Sequence, residues 1–188
     1  IDGNKFSAFI VERGTEGFEI GKEEKKMGMK GSSTTSAKFT NAKVPVENLL
    51  YEPGKGATIA FNALNIGRYK LAASTIGGCK LGMELVIKYA LERKQFGQAI
   101  AYFDSIKSKI SDMTVRVYAS DSMLYRIVGM IQDAIDDLDE TDPDFYKQMG
   151  KAMERFAVEA SMAKVYGSET SDFVVDHCLQ IFGGYGFI

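Results

Sequence analysis

One histidine, two cysteines and three prolines are all that 188 residues contain of these types, and each shortage closes off a class of chemistry. A di-iron helical bundle needs Glu-x-x-His pairs. Here the sole histidine is His177 and the residue three positions before it is Val174, so that reading fails. A serine or cysteine hydrolase would have to use the same imidazole, and no nucleophile elbow is present. His177 is read instead as a structural residue near a helix C-terminus, where it complements the dipole. Cys79 and Cys178 stand far apart without a Cys-x-x-Cys spacing, so neither a disulfide framework nor a zinc site is supported. Charge of one sign is also missing. Lys+Arg 23 against Asp+Glu 25 leaves no basic footprint for nucleic acid or an anionic membrane. No apolar run is long enough to span a bilayer, and no charged-then-apolar start resembles a signal peptide. The expectation is a soluble, intracellular chain that is not secreted.

What is present divides in two. Up to about Tyr51, short apolar runs (Phe6 to Val11, Phe18 to Ile20, Ala37 to Phe39, Val44 to Val46) alternate with glycine- and proline-rich turns, which is strand punctuation. From Ala57 the period becomes helical, and no proline interrupts the chain between Pro53 and Pro143. A first long helix is expected to reach Glu92, burying Leu64, Leu71, Ile76, Leu81, Leu85 and Tyr89. A second carries Ile106, Ile110, Met113, Val117, Leu124, Ile127 and Ile131. A third begins near Asp144 and presents Phe145, Met149, Ala152, Phe156, Ala160, Ala163, Gly167, Thr170, Val174 and Ile181 on one face. Small residues line the middle of the third helix, and the first helix at Ala72, Ala73, Gly77 and Gly78; glycine inside a helix costs about 1 kcal/mol, so close helix approach is expected there. The fold class expected is α+β: the second part of an antiparallel β domain (1–55) followed by an antiparallel up-and-down helical bundle (56–188). Both ends look cut, and a piece of a longer protein is expected.

Three stretches carry candidate chemistry. Gly97 ends the first helix and leaves Arg93 and Phe96 in the exit loop. A cation and a flat apolar ring together suit a ligand bearing phosphate and a ring system. The acidic run from Asp133 to Asp144 lacks the central glycine and terminal glutamate of a calcium loop and reads as a solvated connector. Gly183-Gly-Tyr-Gly186 follows a helix and lacks the Gly-x-Gly-x-x-Gly spacing of a Rossmann turn. Backbone without side chains still lets a bulky ligand come close, with Gln180 one turn upstream.

Arg93-Lys-Gln-Phe-Gly97 followed by Ile100, Phe103 and Ile106, together with Gln180-Ile-Phe-Gly-Gly-Tyr-Gly-Phe187, resembles the acyl-CoA dehydrogenase family. Lys26-Met-Gly-Met-Lys-Gly-Ser-Ser-Thr34 and Val44-Pro-Val-Glu-Asn48 resemble the last part of that family's middle β domain, and Leu64-Asn-Ile-Gly-Arg68 is most similar to its very-long-chain branch. The resemblance implies an FAD cofactor contacted by Arg93 and Phe96. Gln180, Ile181, Phe182, Gly183 and Gly184 would contact the FAD of a neighbouring subunit. Asn65, Ile66, Gly67 and Arg68 would contact a fatty acyl-CoA, although relatives commonly carry aspartate where Asn65 stands. It further implies α,β-dehydrogenation in fatty-acid β-oxidation, an electron-transfer flavoprotein as acceptor, and a homo-oligomer. Its setting would be bacterial cytoplasm or mitochondrial matrix. No catalytic base is expected within the chain. The helix-borne position used by a minority of the family is Gly67, which has no proton-accepting group, and Glu84 and Glu92 lie several turns further on. The chain alone is therefore expected to bind FAD weakly, to self-associate and to be inactive. Two other readings stand beside this one: a non-catalytic assembly module, and a family oxidase or monooxygenase.

Overall fold

The computed structural model describes residues 5–188. The chain divides into two units, Ile1–Phe61 and Asn62–Ile188. That division falls inside the first helix rather than at the Pro53–Gly56 turn, because the turn and the helix start are tied to the first strand. Gly56 N–H donates to the Phe6 carbonyl at 2.8 Å, and Gly54 N–H to Ser7 Oγ at 2.8 Å.

The first unit is antiparallel β. Strand β1 (Ala8–Phe9) pairs with β4 (Leu49–Leu50), and β2 (Phe18–Glu23) pairs with β3 (Thr35–Phe39). Phe18 and Phe39 face each other in register and stack at 4.8 Å, a cross-strand aromatic pair that fixes the pairing. The strand expected at Val44 to Val46 does not form. Pro45 has no N–H to give a ladder, and the chain instead turns through a short 3-10 helix, Val46–Asn48, before entering β4. Asn48 anchors this return, its side-chain amide and backbone N–H bonded to Ile10 and Pro45 carbonyls respectively.

The second unit is helical, with α1 (Gly56–Glu92), α2 (Asp104–Asp136), α3 (Phe145–Glu154) and α4 (Ala157–Phe182). Helix α1 runs unbroken through Gly77, as expected. The single third helix does not. It breaks at Arg155–Phe156, where Phe156 leaves helical geometry (φ −103°, ψ 23°) and its N–H turns to Met153. The kink lets the Phe156 ring pack against the core.

Contacts fix the helix directions. Gly167 lies against Ala72 and Thr75, and Gly82 lies beside Cys178, so α1 and α4 run parallel. Met113 meets Cys178, and Arg116 meets Phe173, so α2 opposes α4. It opposes α1 as well, through the Lys80–Asp121 ion pair at 2.9 Å and the short connection between them. Met113, Val86, Val174 and Cys79 are fully enclosed where the three helices meet. Each such side chain is worth about 1.5–3 kcal/mol of burial.

The α2 and α4 faces are those the periodicity indicates, but the α1 face is not. Its core side is Ala72, Ile76, Cys79, Met83, Val86 and Ala90, while Leu64, Leu71, Leu81 and Leu85 are exposed. Nor does any neighbour approach Gly77 or Gly78, where an added Cβ meets open space. The expected close approach occurs where the small residues of the last helix meet Ala72: a Cβ at Gly167 would stand 3.1 Å from Thr75 Oγ1 and 3.2 Å from Ala72 Cα. In the acidic connector, Asp139 accepts from the Thr141 N–H and hydroxyl, and Asp142 from the Asp144 N–H. These carboxylates build turns. Among the described residues no helix is long and apolar enough to cross a membrane.

Candidate functional site

The end of α1 is rebuilt by a feature absent from the expectation. Lys94–Gln95 (β5) and Gln98–Ala99 (β6) pair as a two-stranded hairpin. Its loop is Phe96 (φ 50°) and Gly97 (φ 85°). Positive φ at both central positions is the turn whose twist matches a hairpin. Glycine takes that conformation freely, whereas phenylalanine at φ 50° is unusual and strained. The Phe96 ring is nonetheless 93% exposed, touching Phe103 edge-on at 6.2 Å between centroids. An exposed aromatic ring held at a strained hairpin tip is poorly explained by the packing of this chain.

Arg93 sits at the base of the hairpin. Its N–H closes the last turn of α1 on the Tyr89 carbonyl (2.8 Å), and its own carbonyl receives the Ile100 N–H (2.8 Å). Arg93 is exposed, and among the described residues no carboxylate forms an ion pair with it.

The C-terminal end of α4 reaches the same place. Gly183 takes φ 59° and ψ −129°, a conformation open in practice to glycine alone, and its N–H caps the Leu179 and Gln180 carbonyls. A short 3-10 turn, Gly183–Gly186, follows. Gly186 folds back so closely that a Cβ there would stand 2.6 Å from the Leu179 carbonyl oxygen. At Gly183 and Gly184, by contrast, a Cβ would meet nothing within 4 Å.

Between these parts runs a groove of about 690 Å³, within the usual range for a small-molecule site. Arg93, Gln95 and Phe96 form one wall, Ile181 to Tyr185 the other, and the start of α2 (Phe103, Ser105, Ile106) contributes the floor. Six of the residues expected to meet cofactor thus share one groove on one chain: Arg93, Phe96, Ile181, Phe182, Gly183 and Gly184. Gln180 lies exposed just outside its lining. The resemblance assigned Gln180 to Gly184 to the FAD of a neighbouring subunit; Ile181 to Gly184 line the same groove as Arg93 and Phe96. Sequence reasoning gave no role here to Tyr89 or Tyr185. Tyr89 was detectable, since it stands one helical turn before Arg93 and so shares its face.

The second candidate cluster lies elsewhere. Asn65 is buried at 6% exposure, and its side-chain carbonyl accepts a hydrogen bond from the Arg68 guanidinium. Ile66 is half-buried and Gly67 exposed. At about 1.5 Å rise per residue, Arg68 and Arg93 are separated by roughly 37 Å along α1. The two clusters are therefore distinct. His177 is occupied structurally: its ring stacks on Phe173 at 4.0 Å, and Nδ1 lies 3.0 Å from the Phe173 carbonyl.

This helical bundle, with a groove where its first and last helices end, matches the family model "Acyl-CoA dehydrogenase, C-terminal domain" over residues 54–188. The chain belongs to the acyl-CoA dehydrogenase family. It is 50% identical over its whole length to a probable acyl-CoA dehydrogenase of Bacillus subtilis, covering 32% of that protein. Against the very long-chain specific acyl-CoA dehydrogenase of human mitochondria it is 37% identical over 98% of its length, covering 25% of that protein. A crystal structure of the Bacillus anthracis acyl-CoA dehydrogenase complexed with FAD superposes on all of it with a TM-score of 0.93 at 46% identity, and 33% of that chain is covered. The chain thus spans about a third or less of the length of these relatives.

Proposed function

We propose that this chain is the C-terminal-domain portion of an FAD-dependent acyl-CoA dehydrogenase, and that its groove holds the adenosine diphosphate half of one FAD. One observation carries the reading: segments nearly ninety positions apart in sequence, both expected to meet flavin, converge on one groove. The residues fit the group. Arg93 offers a guanidinium to the pyrophosphate, Phe96 offers a ring face to the adenine, and the bare backbone at Gly183 and Gly184 leaves room for the ribose. FAD, when bound, supplies the hydride acceptor for α,β-dehydrogenation.

The chain's own part is to bind and orient. Asn65 and Arg68 are assigned to the acyl-CoA, with Ile66 and Gly67 between them. Roughly 37 Å of helix separates that cluster from the Arg93 groove. On the likeness to the family, the enzyme is assigned as a homo-oligomer whose cofactors bridge subunits, a flavin anchored at Arg93 of one copy reacting with an acyl-CoA held by another. At the acyl-CoA cluster Gly67 has no side chain and Asn65 is an amide, while Glu84 and Glu92 lie several turns further along α1 and are exposed. The base that removes the α proton is accordingly assigned to a part of the enzyme outside this chain. Electron-transfer flavoprotein is the assigned acceptor, and a long acyl chain the assigned substrate, on the likeness to the very long-chain enzymes.

The test is reconstitution. The parent enzyme, stripped of flavin and given FAD, should show its flavin absorbance bleach anaerobically on adding a long-chain acyl-CoA, while the isolated chain should not. An enzyme that never retains FAD, or retains it without being reduced by any acyl-CoA, would overturn the proposal.

A further inference from the structure

Tyr89 has no part in the chemistry proposed above, yet it touches both walls of the groove. Its backbone carbonyl receives the Arg93 N–H at 2.8 Å, so it fixes the residue carrying the guanidinium. Its ring lies 4.8 Å from Phe182 and 6.2 Å edge-on to Tyr185, and its hydroxyl reaches the Phe182 carbonyl at 3.4 Å. Phe182 ends α4, and Tyr185 belongs to the glycine turn. The hydrogen bond is long and so contributes little, whereas the aromatic pairs stabilise beyond their buried area. The turn itself supplies few side chains of its own to pack: three of its four residues are glycine, and its fixed points are the Gly183 cap, the Gly186 fold-back and these rings.

We infer that Tyr89 is a positioning residue that couples the two walls, holding the Gly183–Gly186 turn at the distance from Arg93 that a dinucleotide requires. This rests on the reading of the groove as an FAD site. With the ring removed, Arg93 stays on the end of α1 and the Gly183 cap still forms, but the spacing between them is no longer set. The ring rather than the hydroxyl performs the work, which separates this role from a catalytic one.

The experiment measures FAD affinity of the flavin-free parent enzyme by fluorescence quenching, with the melting temperature of each flavin-free variant as a second readout. Tyr89→Leu should weaken FAD by about tenfold, the loss of two aromatic contacts. Tyr89→Phe keeps both rings and should stay within about threefold of the parent. A double-mutant cycle supplies the readout that a general loss of stability cannot mimic. Gly186→Ala forces the turn off the Leu179 carbonyl, so once Tyr89 is leucine it should add little further loss of FAD. Additive losses would overturn the positioning role, as would a Tyr89→Leu enzyme that binds FAD normally. Arg93→Ala distinguishes this from failure of the underlying reading. If Arg93→Ala loses FAD while Tyr89→Leu does not, only the inference about Tyr89 falls; if neither loses it, the groove is not the cofactor site.

Discussion

Helix α1 carries Arg68 inside its first half and delivers Arg93 just past its last residue, two arginines of opposite circumstance. Arg68 spends its guanidinium on Asn65, one turn away on the same helix, and nothing outside that turn is needed to explain it. Arg93 has no such local partner. Around it the chain gathers a hairpin, the start of α2 and the glycine turn after α4. One cluster is made by helical spacing and the other by tertiary structure. An arginine held by its own helix is already satisfied and must be drawn away to bind. One presented at the rim of a groove, with exposed aromatic surface beside it, is organised in advance for an anion.

Breaking the groove end should cost most. In the parent enzyme Arg93→Ala should weaken FAD by roughly tenfold to a hundredfold, the range of a charge-assisted hydrogen bond worth about 1.5–3 kcal/mol. Flavin retention on gel filtration would show it. Arg68→Ala should leave FAD retention unchanged and raise the KM for acyl-CoA, and an equal loss of FAD in both variants would erase the distinction between the two arginines.

The glycines of the two parallel helices sharpen the comparison on stability. Gly167→Val drives a side chain into Ala72 and Thr75 and should destabilise the chain by about 1–3 kcal/mol. Gly77→Ala meets open space and should stabilise α1 by up to about 1 kcal/mol. Urea denaturation of the isolated chain reads both. Opposite signs are expected, and a destabilising Gly77→Ala would mean that a second copy already packs there.

Phe96→Asn should separate stability from function. Asparagine before glycine suits the hairpin turn that phenylalanine enters under strain. The variant should therefore gain about 0.5–1 kcal/mol while FAD binding weakens. Loss of both would make Phe96 a packing residue.

The smallest effect concerns pH. Desolvation by burial raises the thiol pKa of Cys79 and Cys178 above the ordinary 9.0. Above that pH the unfolded chain sheds these protons before the folded one does. Stability from this source is thus complete below pH 9.0 and falls as pH rises toward the folded values. Denaturation compared on either side of pH 9.0, in the parent chain and in a variant with both cysteines changed to alanine, should show a steeper decline where the thiols are present, since the Lys80–Asp121 pair contributes its own loss in both.

How much of this was legible in the sequence depends on what surrounds each helix. In α2 the apolar stripe from Ile106 to Ile131 has polar residues opposite it, and the buried face is the one the spacing indicates. Helix α1 is apolar on both sides. Its large leucines pointed to one face, while the smaller Ala72, Cys79 and Ala90 pack closest and face the core. Arg93, Phe96 and the glycine turn were recognisable as residues, but their meeting was not, because it depends on α1 and α4 running parallel and ending together. The hairpin left a faint signal, since Phe96-Gly97 lacks the asparagine or aspartate that usually announces such a turn. The break at Phe156 left none, there being no proline or glycine to mark it.

The central claim is that one chain presents both segments to a single FAD. Hydrogen exchange on the flavin-free parent enzyme, followed as FAD is titrated in, tests it most directly. The account predicts that amides of residues 93–100 and 183–187 gain protection together, with one midpoint in FAD concentration. Protection of one segment without the other, or two separate midpoints, would contradict it.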